Sequence, residues 1–136
     1  MAKKNSITAI NRRLDILARD ICKISAGFTC QKCGVVGDSS SVEWAHIEER
    51  KKKAIRWSQM NCLALCNGKL NNCHYWFDSN RALSMKWLED NFPEKHAWLL
   101  EEEMGTPRAL MRTLDTIDDR LQLEEELKAE RATLND

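Results

Sequence analysis

The apolar residues Ile7, Ile10, Leu14, Leu17, Ile21 and Ile24 recur at spacings of three, four, three, four and three. That is one stripe along an α-helix, so the pattern predicts a helix over residues 6–26. Asn5 or Ser6 can cap its start and Gly27 can end it. The stripe is expected to bury against a core rather than to form a dimer seam. Beyond it the period changes. Cys30-Gln31-Lys32-Cys33-Gly34 reads as a tight knuckle, and Gly37-Asp38-Ser39-Ser40-Ser41 as a turn. Val42 to Ile47 reads as a short strand, and Asn61 to Cys66 as a second. Between them, Arg50-Lys51-Lys52-Lys53-Ala54-Ile55-Arg56-Trp57 is too charged for a core and suits an exposed loop. From His74 onward the pattern turns helical. Leu83, Trp87 and Leu88 predict one helix, stopped near Asn91-Phe92-Pro93, and His96 to Met104 another, ended by Gly105. Thr106-Pro107 forms a cap-plus-first-turn pair. It would open a long helix through Leu110, Leu114, Ile117 and Leu121, whose apolar register then slips to Leu123, Leu127 and Leu134. The slip favours a surface helix or a frayed tail over a coiled coil.

Composition adds a class and charge adds a division. With 43% hydrophobic and 31% charged residues in 136, the chain reads as globular. No run approaches the roughly 18 apolar residues of a membrane span, and the Lys3-Lys4 start has no signal-length apolar segment behind it. A cytoplasmic protein is expected. The net charge is zero, but residues 1–81 carry 14 Lys and Arg against 7 Asp and Glu, and residues 82–136 carry the reverse. A basic first part (1–81) implies a nucleic-acid face, and an acidic helical extension (82–136) a solvent or protein face.

In a reducing compartment, paired cysteines favour metal over disulfide. Zn²⁺ takes four ligands in a tetrahedron, and thiolates suit it. Cys30 and Cys33 form the first pair, and the glycine after them lets backbone N–H groups turn toward sulfur. Cys66 and Cys73 form the second, although six residues separate them. The turn-rich insert Asn67-Gly68-Lys69-Leu70-Asn71-Asn72 can loop out without moving the ligands. Cys62 is the rival for the fourth position. Cys22, inside the first helix, reads as a small buried apolar residue.

Three residues between and beside these cysteines carry candidate chemistry. His46 ends the first strand, and a neutral imidazole can take a proton from water near neutral pH. Asn61 has a side chain able to bond backbone groups and pin the intervening loop. His74 and Asp78 stand at i and i+4 on one helix face, and both are ligands for a hard or borderline divalent cation. Trp44, Trp57 and Trp76 are expected in the core rather than stacked on bases.

Cys-x-x-Cys, Ala-His-Ile, Asn-x-Leu-x-Leu-Cys and Cys-His-x-Trp-Phe, in that order, resemble an HNH endonuclease of the ββα-metal class. The likeness is to the small zinc-containing HNH proteins of phages and prophages, and it is strongest over residues 28–80. It implies an α+β fold: a zinc-stapled ββα-metal unit with an N-terminal helix and C-terminal helices. It makes His46 the general base, Asn61 the motif asparagine and His74 a ligand of a catalytic divalent cation (Mg²⁺, Mn²⁺, Co²⁺ or Ni²⁺), with Asp78 as a further ligand. Structural Zn²⁺ would sit on Cys30, Cys33, Cys66 and Cys73. Double-stranded DNA becomes the expected partner, contacted through Arg50, Lys51, Lys52, Lys53 and Arg56. Many members carry Asp or His directly before the base, where this chain has Ala45, so Glu43, Asp78 or water must fill the gap. The alternatives are a non-catalytic zinc-ribbon DNA-binding module and a protein-interaction adaptor using the acidic C-terminal helices.

Overall fold

A computed structural model of the chain describes residues 5–48, 55–104 and 114–134. Over these the fold is α+β, with five α-helices and one two-stranded antiparallel sheet. Helix α1 spans Ile7–Ser25. Ser6 caps it by accepting from the Ala9 N–H at 3.2 Å. Gly27, at φ +62°, turns the chain out so that its own N–H and that of Phe28 reach back to the carbonyls of Ile24 and Lys23. Of the predicted stripe, Ile10, Leu14 and Ile21 are buried, joined by Ala18, while Leu17 and Ile24 are half-buried and Ile7 is exposed.

Strands β1 (Val42–His46) and β2 (Cys62–Cys66) pair with Val42 opposite Cys66 and His46 opposite Cys62. A 3-10 turn at Gln59–Asn61 feeds β2. Two strands cannot bury themselves, so each face of the ribbon is covered. On one face Ala45, Ile47, Leu63 and Leu65 join Phe77, Leu88 and Leu99 in a cluster. Those three come from α2 (Cys73–Ser79), α3 (Arg81–Asn91) and α4 (Pro93–Met104). On the other face Val42, Cys62 and Ala64 pack with Cys22 of α1 and with Trp44.

The C-terminal part departs from its sequence pattern. The Thr106-Pro107 start and Leu110 lie outside the described residues. Leu114 sits before the helix at φ +58°, and α5 runs Ile117–Ala132. Thr116 caps it by accepting from Asp119 N at 3.0 Å, and Asp118 and Asp119 place negative charge in its first turn. A hydroxyl cap with two acids is a stronger start than the apolar spacing that suggested an earlier one. Nor is α5 a frayed surface helix. It lies along α1, where Leu123 and Leu127 complete a cluster with Ile10, Leu14, Ala18, Ile21, Trp57 and Leu114. The register slip from Leu121 to Leu123 is what brings a second apolar face onto α1. No helix of the described residues is long and apolar enough to cross a membrane.

Candidate metal centre and adjoining histidines

Two knuckles converge on one point. In the first, Gly34 adopts φ +81°, a left-handed conformation open to glycine without strain, and the Cys33 N–H points at Cys30 Sγ, 3.5 Å away. The knuckle is docked on β2 through Gln31, whose backbone N–H donates to the Ala64 carbonyl while its side-chain oxygen accepts from Ala64 N, both at 2.8 Å. The second knuckle is the end of β2 and the first turn of α2. The sulfurs of Cys30, Cys33, Cys66 and Cys73 all lie within 4.8 Å of one another. Cys33 Sγ and Cys66 Sγ are 3.8 Å apart, and a tetrahedral site with Zn–S near 2.3 Å requires edges of about 3.8 Å. The donor set and its spacing therefore fit a metal ion such as zinc.

Electrostatics agree with that use. Burial would raise the Cys33 thiol, but hydrogen bonds from Asn71 Nδ2 and the Val35 backbone outweigh it and bring it down to about 6. Burial and the neighbouring thiols push Cys73 up. Four thiols this close cannot all ionise without a cation among them. The insert between Cys66 and Cys73 takes part in the site, since Asn71 reaches Cys33 Sγ at 3.3 Å. Cys62 does not. It is buried beneath α1, its sulfur directed at Gln59 O and Oε1, and it shares a hydrogen bond with Cys22 that lowers Cys62 and raises Cys22.

The histidines divide between the two faces of the ribbon. His46 lies on the α1 face beside Trp44, with ring centroids 4.2 Å apart, and its Nε2 is 2.9 Å from the Arg56 carbonyl. A carbonyl only accepts, so Nε2 carries the hydrogen and Nδ1 is the basic nitrogen of the neutral ring. His74 lies on the opposite face, at the start of α2. Its Nδ1 meets Glu43 Oε1 at 2.8 Å, and its Nε2 lies 3.2 Å from Asp78 Oδ2. Glu43 is steadied by Asn67 Nδ2 at 3.2 Å from its other oxygen, and His74 holds its carboxyl below the ordinary value. The carboxylate that β1 presents to His74 is thus Glu43, two positions before Ala45. Ala45 itself is buried against Leu63 and Leu65, closed off from any ion.

Asn61 is fully buried. Its Oδ1 accepts from Glu48 N at 2.8 Å, and its Nδ2 donates to Glu48 O and Ile55 O, each at 3.3 Å. One amide therefore fixes both ends of the segment 49–54, and Arg81 adds a second tie at the first end through Ile47 O and Glu48 Oε1. Arg50, Lys51, Lys52 and Lys53 lie outside the described residues. Arg56 is described, and its guanidinium is engaged by Asp15 of α1. Trp57 is buried, while Trp44 and Trp76 are half-buried against the clusters. Sequence reasoning offered Glu43 as one of three ways to fill the gap at Ala45, and missed Asn67, Asn71 and Asp15 as partners of the site. Only the position of Glu43 on the same strand face as Ala45 carried a signal.

Comparison with protein-family models, with curated proteins and with solved structures finds no match.

Proposed function

We propose that the protein is a metal-dependent endonuclease of the HNH type that hydrolyses DNA phosphodiester bonds. The observation that carries the reading is the line Glu43–His74–Asp78 at the edge of a Cys₄-stapled ββα unit. A metal-ligating histidine commonly donates its second ring N–H to a carboxylate, which fixes the ring. Glu43, held by Asn67, has that relation to Nδ1. Nε2 and Asp78 Oδ2 then face outward 3.2 Å apart, close to the roughly 3.0 Å between adjacent ligands of an ion bound at about 2.1 Å. A divalent cation held there would neutralise charge building on the phosphate and on the departing oxygen.

The chain's own residues supply the remainder. His46, with Nδ1 basic, removes a proton from the attacking water. In-line attack needs the nucleophile and the leaving oxygen on opposite sides of phosphorus; with His46 and His74 on opposite faces of β1, this reading requires the phosphate at the open edge of that strand, within reach of both. Asn61 fixes the ends of the basic segment, which is the DNA-contacting candidate. The acidic C-terminal helices keep their role as a protein-binding surface in this reading.

Purified protein with double-stranded DNA and Mg²⁺, Mn²⁺, Co²⁺ or Ni²⁺ is expected to cut. His46→Ala should bind DNA as well as wild type and cut about 10²–10⁴-fold more slowly. A second reading, a zinc-ribbon module that binds DNA without cutting it, is favoured by the closure of both His74 nitrogens by carboxylates. Salt-dependent binding with no cleavage under any of the four metals would establish that reading and overturn the first.

A further inference from the structure

The carbonyl that orients His46 is itself held from outside the ribbon. Asp15 of α1 grips the Arg56 guanidinium twice, Oδ1 accepting from Nε at 3.1 Å and Oδ2 from Nη2 at 2.7 Å. The same Oδ1 accepts from the indole Nε1 of Trp57 at 2.8 Å. One carboxylate thus takes donors from two consecutive residues. The peptide group joining those residues contains the Arg56 carbonyl that His46 Nε2 meets at 2.9 Å. Fixing the side chains on both sides of a planar peptide fixes its plane, and with it the direction of its oxygen.

The clamp is anchored on both terminal helices. Trp57 is only 2% exposed, and the Arg120 guanidinium of α5 stands 5.7 Å from its ring centroid. Arg120 is buried in turn, donating to Leu114 O and to Asn11 Oδ1 of α1, each at 2.9 Å. A bidentate pair between side chains 17% and 21% exposed is committed in a way that a surface pair is not.

We propose that Asp15 is a positioning residue for His46, holding the Arg56–Trp57 peptide so that its carbonyl fixes the imidazole in the Nε2–H tautomer. The inference rests on the reading of His46 as the base, but the positioning is observable without activity. It also changes the part played by Arg56, whose guanidinium serves the clamp, so that phosphate contact falls to Arg50, Lys51, Lys52 and Lys53.

The test is long-range proton–nitrogen NMR on full-length, zinc-loaded protein with ¹⁵N-labelled histidine, at a pH above about 8 where imidazoles are neutral. Wild type should show His46 as a single Nε2–H tautomer. Asp15→Ala should give a mixture of tautomers at His46 and leave the signals of His74 in place. Arg56→Lys and Trp57→Phe each remove part of the clamp while preserving bulk, and should give intermediate mixtures even if Asp15→Ala does not fold. A His46 tautomer unchanged in the folded variants, or an Nδ1–H tautomer in wild type, overturns the proposal. In an assay beside it, a tautomer shift without any cleavage by wild type would keep the clamp and remove the nuclease. Cleavage with an unmoved tautomer would do the reverse.

Discussion

The two faces of the ribbon are held by opposite means. Toward α2, four sulfurs drawn from within 44 residues, Cys30 to Cys73, stand where one metal ion could staple the chain. Toward α1, it is covered by helices from the two ends of the sequence. One tie between them is the pair of Arg13 with Glu124, at 2.6 and 3.0 Å across 111 positions. With a metal bound there, the first face would concentrate its stability in one coordination event, as small domains with little core do. The second spreads it over buried Ile, Leu and Trp, each worth about 1.5–3 kcal/mol when fully buried. The candidate base lies on the distributed face and the candidate ion ligands on the concentrated one.

The strongest way to break this comparison is to remove the metal. One zinc per chain is expected in purified protein. Its chelation, or Cys66→Ala, should lower the thermal transition by more than about 10 °C. Amide exchange should open first in the knuckle and in β1–β2, and later in α1 and α5. A metal-free protein with an unchanged transition would abolish the division between the faces.

A smaller effect is expected at the seam. Asn61→Ala leaves Glu48 N–H and two carbonyls without their buried partner, a loss of about 2–4 kcal/mol by urea unfolding. A loss below about 1 kcal/mol would mean that Arg81 alone fixes this end of the segment.

The smallest effect belongs to the terminal helices. Arg13 holds the Glu124 carboxyl below its ordinary 4.5. A carboxylate with a lowered folded pKa contributes stability that is full above the unfolded value and is lost as pH falls through the folded one. Glu124→Gln should therefore cost about 1–2 kcal/mol near pH 7, and the difference from wild type should shrink below about pH 4.5. A difference independent of pH would show that the pair acts through shape and not through charge.

The contrast also explains what could be read from the sequence. α1, β1, β2 and the sulfur quartet follow from local periodicity and spacing, which a linear pattern contains. The choice of Cys73 over Cys62 does not, because it depends on where the chain returns after β2: Cys62 opens that strand under α1, at the opposite end from Cys66, while the start of α2 brings Cys73 back beside Cys66. The break between Leu114 and Ile117 is not legible in the apolar spacing, which runs through both, but in the Thr116 cap. Its docking on α1 pairs residues over a hundred positions apart, a separation at which hydrophobic period carries no register. Asp15 stands off the apolar stripe of α1, and only the return of Arg56 and Trp57 gives it partners.

The amide of Asn61 has a further consequence, for loop exchange. By joining Glu48 to Ile55 it holds the two ends of segment 49–54 at a fixed separation. For a flexible loop with tethered ends, doubling the length costs only about 0.6 kcal/mol of closure entropy. A stretch of different length and charge can then be grafted between those ends while the strands, the sulfurs and both histidines stay in place. Under the proposed nuclease reading, substrate preference and catalytic geometry would be separable inheritances, one in the six residues 49–54, the other in the frame that flanks them.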